Sequence, residues 1–297
     1  MTDHPIAGIE LGGTKCVATL ATADGDIRDQ ATVPTTGPDE TLGAIEDVLA
    51  RWAADGGFAA LGVASFGPVD VDPASARYGW ITSTPKPGWR DTDVGRRLAR
   101  RYPVPFAFDT DVNAAAFAEA RWGAAQGLAD FAYVTVGTGI GVGLIVNGQP
   151  TRGFGHSELG HLRVRRVPGD HFAGVCPYHG DCLEGLASGP AIKARWQTDH
   201  VGTIDADDLR WDYVIDALAQ MAHALVLAAC PRVILIGGGV GSGQPALRAR
   251  VEARLIESIA SYVDIPIPEG GYVRAPGLGD RAGPLGSVAL GLAALGC

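Results

Sequence analysis

Lysine is nearly missing from this 297-residue chain: Lys15, Lys86 and Lys193 are its only three, among 24 basic residues. The skew toward arginine reads as a coding bias. Positive charge as a whole is short, with a net charge of −9 at pH 7 and only 19% charged residues. That balance excludes a nucleic-acid partner held through phosphate contacts. Long apolar runs are lacking too, since none approaches the roughly 18 residues that span a bilayer. Met1 to Pro5 contains no basic region of the kind that opens a signal peptide. The expectation is a cytoplasmic protein with no membrane partner. The cysteines are few and odd in number (Cys16, Cys176, Cys182, Cys230, Cys297), which suits a reducing compartment better than a disulfide framework. Three fingerprints are absent: Gly-x-x-x-x-Gly-Lys-Ser/Thr, Gly-x-Gly-x-x-Gly and Gly-x-Ser-x-Gly. Their absence sets aside P-loop, dinucleotide-Rossmann and nucleophile-elbow chemistry.

What is present is apolar material and glycine. Hydrophobic residues make up 46% of the chain, enough for two buried cores, and the length suggests two domains. Glycine reaches 42 residues without a Gly-X-Y period, so the excess reads as tight turns and close backbone approaches. Apolar stretches of strand type (Ile6 to Ala21, Leu61 to Phe66, Val104 to Phe108, Phe131 to Val146, Val233 to Ile236) alternate with stretches of helical spacing (Glu40 to Trp52, Tyr213 to Cys230, Val251 to Ser261). This alternation predicts an α/β class. A weak internal repeat places a glycine-turned hairpin at the head of each half, and two similar halves would leave a cleft for a ligand.

Three segments could turn backbone N–H groups toward phosphates: Gly12, Gly13, Thr14 and Lys15; Gly137, Thr138 and Gly139; and Gly237, Gly238 and Gly239. Each alone is equally a turn. His161, Cys176, His179 and Cys182 follow the spacing His-x14-Cys-x2-His-x2-Cys. Two thiolates and two imidazoles suit a closed tetrahedral Zn²⁺ site, and the irregular stretch from 151 to 185 needs such a clip to order. Asp111 stands where a buried strand meets an Ala-rich helix. There it is either an N-cap or a carboxylate held ionised by the helix end and able to accept a proton. Glu158 and Glu184 flank the metal candidates and are either sugar contacts or solvated surface acids.

Taken together, Gly8-Ile-Glu-Leu-Gly-Gly-Thr-Lys15, Asp111-Val-Asn-Ala-Ala115, Val136-Gly-Thr-Gly-Ile-Gly141, Glu158-Leu-Gly-His161 and the run from Cys176 to Pro190 resemble the ROK family (repressors, ORFs, sugar kinases). The resemblance implies a two-domain actin-like, ribonuclease-H-like ATPase fold. It also implies transfer of the ATP γ-phosphoryl group to a sugar hydroxyl, a homodimer, a structural Zn²⁺ and Mg²⁺ bound with ATP. By that resemblance Asp111 is the base, and Asn113, Glu158, His161 and Glu184 contact the sugar. His161 is also a zinc ligand, while Glu10 orients Mg²⁺. The three glycine segments and Pro190 form the nucleotide site. Glu10 stands where the family usually has Asp, and Cys176-Pro-Tyr-His179 where it has Cys-x-Cys. With Thr84-Pro-Lys-Pro-Gly-Trp89, both departures resemble the fructokinase branch. Only seven residues precede Gly8, so the helix-turn-helix of the repressor members is not expected. The expected domains are 1–112 with 282–297, and 113–281. Fructose is the expected hexose. Mannose, glucose or N-acetylhexosamine phosphorylation, a non-catalytic sugar sensor and a structural zinc protein remain as alternatives.

Overall fold

The computed structural model describes residues 4–244 and 246–297. Their contacts divide into two units. The first comprises the described residues up to Gln126, Thr151–His156 and Asp280–Cys297; the second comprises Gly127–Pro150 and Ser157–Gly279.

The first unit begins with β1 (Ile6–Leu11), β2 (Lys15–Ala21), β3 (Ile27–Pro34) and α1 (Pro38–Ala54). β4 (Leu61–Ser65), β5 (Trp80–Ile81), β6 (Thr92–Asp93), α2 (Gly95–Ala99), β7 (Phe106–Thr110) and α3 (Asp111–Trp122) follow. The main sheet has the order β3-β2-β1-β4-β7. β1 pairs antiparallel with β2 and parallel with β4, and β4 runs parallel to β7. Every residue of β4 is buried, as a central parallel strand covered on both faces requires. α1 carries Asp39 and Glu40 in its first turn and Arg51 in its last, in keeping with the helix dipole, and buries Leu42, Ile45, Leu49 and Trp52.

The second unit contains β8 (Phe131–Val136), β9 (Ile140–Val146), β10 (Gln149–Pro150), α4 (Leu183–Ala187), α5 (Gly189–Trp196) and α6 (Trp211–Ala229). It continues with β11 (Ile234–Gly237), α7 (Gly238–Gly243), α8 (Leu247–Ile259) and β12 (Val273–Arg274). Its sheet order is β10-β9-β8-β11-β12, again an antiparallel hairpin continued by parallel strands. The internal repeat is therefore one of topology, with β1–β2 and β8–β9 as corresponding hairpins. α6 spans 19 residues at a mean hydropathy of 1.2, long and apolar enough to cross a membrane by length and composition. No apolar run of that kind was expected from the sequence. Half of α6 is buried in this unit, and Asp212, Asp216, Gln220 and His223 recur three or four residues apart on its less buried side. That is the pattern of an amphipathic core helix.

α9 (Ala282–Ala294) returns to the first unit. Small residues let it lie almost in contact with the sheet. A Cβ on Gly62 of β4 would sit 2.0 Å from the Ser287 carbonyl oxygen, and one on Gly286 would sit 2.5 Å from the backbone of Ala114. α3 packs along α9, so it belongs to the first unit. The division consequently falls after Gln126, whereas the sequence suggested 112/113, and residues 151–156 also count with the first unit. A pattern of apolar residues shows that α3 is a helix but not which sheet it covers.

Candidate functional site

The β1–β2 turn of the first unit is polarised. The Gly12 carbonyl accepts from Thr35 Oγ1 at 2.8 Å, the Gly13 carbonyl from Lys86 Nζ at 2.5 Å, the Thr14 carbonyl from Thr35 N at 3.0 Å and the Lys15 carbonyl from Gly12 N at 3.1 Å. Gly13, Thr14 and Lys15 are exposed. With its carbonyls tied back, such a turn presents N–H groups outward, the arrangement that receives an anion.

Glu10, on β1, points its carboxylate at Gly283 of α9, where any side chain would collide with it. Burial pushes the Glu10 carboxyl up to about 7; the Asp111 carboxylate adds to the shift and the Lys15 ammonium opposes it. Asp111 is the first residue of α3, but the cap is Thr110, whose Oγ1 accepts from Asn113 N at 3.1 Å. The N-cap reading of Asp111 therefore gives way. Burial pushes its carboxyl up to about 6 against the hydrogen bond it accepts from Val112 N at 2.8 Å. The sequence led us to expect a carboxylate simply held ionised by the helix end. Desolvation outweighs that effect and makes Asp111 a stronger base than a free aspartate.

Asn113 is buried, and its Nδ2 donates to Asp109 Oδ1 at 2.8 Å. Asp109 also accepts from Thr110 N and forms an ion pair with Arg152. The amide is thereby fixed with its oxygen as the remaining polar end. Asp109 and Arg152 were not picked out from the sequence. The signal available was a second acid two residues before Asp111, at the end of a buried strand.

In the second unit, Gly137 N donates to Gly139 O at 2.9 Å, and Gly189 N, at the start of α5, donates to Gly137 O at 2.7 Å. Thr138 and Pro190 are exposed nearby in sequence. The third glycine segment is a strand-to-helix junction: Gly237 ends β11, and Gly238 and Gly239 open α7. Gly238 has φ +81, and a Cβ there would lie 2.5 Å from the Val136 carbonyl oxygen, so glycine is required on both counts. The second and third segments are thus brought together, while the first belongs to the other unit.

The four metal candidates do converge. The ligand atoms of His161, Cys176, His179 and Cys182 all lie within 4.8 Å of one another. Cys176 Sγ is 3.7 Å from the Nδ1 of both His161 and His179, and Cys182 Sγ is 3.5 Å from His161 Nδ1. Bonds of about 2.3 Å to sulfur and about 2.0 Å to nitrogen on a tetrahedron put such atoms roughly 3.6 Å apart. The donor set and its spacing therefore fit a tetrahedral metal ion. Reciprocal backbone bonds between Cys176 and Gly180, at 3.1 and 2.9 Å, shape the loop, and Arg163 clamps it through the His179 carbonyl and Asp181. Burial and the neighbouring Cys176 push the Cys182 thiol up to about 11.

The cluster is joined to the second glycine turn. Glu184, two residues after Cys182, accepts from Ile140 N through Oε2 at 3.0 Å. Gly160 sits so close to the Ile140 carbonyl oxygen, 1.8 Å from a notional Cβ, that only glycine fits at position 160. Glu184 is half-buried and engaged, whereas Glu158 is exposed.

The ROK family profile matches residues 6–294. The chain belongs to the ROK family. Among its ROK relatives, a protein named fructokinase from Zymomonas mobilis is 42% identical over 300 residues, covering 98% of each chain. Another fructokinase, from Pediococcus pentosaceus, is 39% identical over 291 residues, again 98% of each. A ROK family glucokinase from Streptomyces griseus, solved with glucose and AMPPNP, superposes with a TM-score of 0.73 at 25% identity, covering 97% of this chain and 99% of that one. The repeated five-stranded sheets of this ROK protein are those of the actin-like ATPase, ribonuclease-H-like fold.

Proposed function

We propose that this ROK protein is an ATP-dependent fructokinase, transferring the γ-phosphoryl group to the 6-hydroxyl of fructose. One observation carries the chemical part of this reading: Asp111, at the head of α3, is a carboxylate lifted to about 6 by burial and belongs to the same unit as an anion-receptive glycine turn. The two fructokinase relatives support the choice of sugar, and the glucokinase solved with glucose and AMPPNP supports the pairing of a hexose with ATP.

Gly13, Thr14 and Lys15 hold ATP phosphates through backbone N–H groups, as do Thr138 and Gly139, while Gly12 and Gly137 spend their N–H groups closing the two turns. Gly237, Gly238, Gly239 and Pro190 complete the nucleotide contacts. Local dipoles let a chain of net charge −9 hold a polyanion. Asn113, Glu158, His161 and Glu184 fix the sugar hydroxyls. Asp111 takes the proton of the 6-hydroxyl as its oxygen bonds to the γ-phosphorus, while the bond from that phosphorus to the β–γ bridging oxygen breaks and ADP leaves. General-base assistance of this kind contributes about 10²–10⁴-fold.

Glu10 offers a hard oxygen donor that suits Mg²⁺, acting through water. Mg²⁺ there would offset the charge of the phosphates. His161, Cys176, His179 and Cys182 would hold Zn²⁺, which supplies folding energy to the loop rather than chemistry. A reducing cytoplasm belongs to the same proposal, because Cys176 and Cys182 must stay reduced to serve as thiolate ligands. So does the homodimer that the family resemblance implies. Coupled detection of ADP with a panel of hexoses, followed by identification of the sugar phosphate, tests the reading.

A further inference from the structure

Three of the four ties that hold back the carbonyls of the β1–β2 turn come from residues of the β1–β3 region itself: two from Thr35 and one from Gly12. The fourth comes from far away in sequence, where Lys86 Nζ donates to the Gly13 carbonyl at 2.5 Å. Two of the three lysines in the chain, Lys15 and Lys86, thus serve one five-residue neighbourhood. A coding bias toward arginine does not account for that.

Lys86 is delivered by a stiff loop. Pro85 has a fixed φ, and Pro87 restricts Lys86 to extended backbone. Lys86 N donates to Thr84 Oγ1 at 3.3 Å, and Trp89 N donates to the Lys86 carbonyl at 3.3 Å. The Trp89 ring is fully buried. Its Nε1 donates to the Thr36 carbonyl at 2.8 Å, and it meets Phe66 edge-on at 5.3 Å between centroids. The loop is therefore pinned to the segment that follows β3, beside the turn it serves.

The carbonyl of Gly13 and the N–H of Thr14 belong to one planar trans peptide and point in opposite directions. Holding the carbonyl aims the N–H. We infer that Lys86 is a positioning residue of the nucleotide site: by drawing in the Gly13 carbonyl it turns the Thr14 N–H outward to receive a phosphate oxygen. This inference rests on reading the Gly12–Lys15 turn as a phosphate site. It adds a role for the Thr84–Trp89 loop, which no other part of the mechanism uses.

The test is titration of the intact protein with Mg·AMPPNP alone, followed by steady-state kinetics with ATP and fructose. Lys86→Met removes the donor, whereas Lys86→Arg keeps one. Loss of one such hydrogen bond corresponds to about a tenfold change in affinity. Lys86→Met should weaken AMPPNP binding and raise the KM for ATP by about that factor, with the KM for fructose within about twofold of wild type. Lys86→Arg should recover most of the loss. A merely structural role would lower the melting temperature and disturb both substrates alike. Unchanged AMPPNP binding in Lys86→Met, an equal loss for fructose, or no recovery in Lys86→Arg would each overturn the inference. Because the titration uses nucleotide alone, wild-type protein that binds AMPPNP but phosphorylates no hexose would count against the kinase reading and not against Lys86. Wild-type protein that binds no AMPPNP would overturn both.

Discussion

The guanidinium of Arg152 pairs with the carboxylate of Asp109, a side chain only 1% exposed. Asp109 in turn sets the orientation of Asn113, because its Oδ1 accepts the Asn113 amide N–H, and a carboxylate oxygen cannot donate. Arg152 also donates to the Val71 carbonyl at 3.0 Å, tying residues 151–156 into the first unit. Arg152→Ala leaves a buried carboxylate without its partner, which costs about 3 kcal/mol. Thermal or denaturant unfolding of the variant should show a loss of that size, together with a raised KM for sugar as Asn113 loses its fixed orientation. A neutral Arg152→Ala would remove the pair from the account.

Asp111→Asn keeps the shape of the first turn of α3, and Thr110 still caps it. The variant should fold and bind sugar normally. Its turnover should fall about 10²-fold or more, because the proton of the sugar hydroxyl has no acceptor. Calorimetric sugar binding alongside kcat separates the two effects.

The pH dependence of stability has a definite sign. The Glu10 carboxyl titrates near 7 in the fold against a reference of 4.5, and Asp111 near 6 against 3.8. Between those limits the folded protein holds protons that the unfolded chain has released. Stability contributed by these groups is therefore complete below about pH 4 and declines as pH rises toward 7. Glu10→Gln should raise the melting temperature of the ligand-free protein at pH 8, and the gain should vanish at pH 4. A destabilised variant at pH 8 would contradict the burial of the Glu10 charge.

Much of this site is legible in the sequence, and the limits are physical. The Cys176-x2-His-x2-Cys triplet predicts the convergence of four ligands because few other uses require that spacing. The two glycine hairpins predict equivalent sheets because a hairpin at the head of each half leaves little choice of topology. Other features depend on long-range packing that no local pattern encodes. Thr110, not Asp111, caps α3 because β7 runs on to Thr110, two residues past the expected Phe108, and the helix begins directly at Asp111. The unit boundary falls after α3 because that helix packs on α9, about 170 residues away in sequence. Asp109, Arg152 and Lys86 acquire their roles only through partners distant in the chain.

The cluster makes a prediction of its own. Wild-type protein purified without chelator should carry one zinc per chain by elemental analysis, and Cys182→Ala should carry none. Glu184 follows Cys182 by two residues and is held by Ile140 N, so losing the clip should also raise the KM for sugar and lower the melting temperature. Active protein without stoichiometric metal would refute the assignment.

The most direct measurement is ADP release by the purified protein with Mg·ATP and single hexoses, beside Asp111→Asn as control. The account predicts rapid release with fructose, formation of fructose 6-phosphate, and near-silence in the variant. No release with any hexose, or equal rates in wild type and Asp111→Asn, would contradict it.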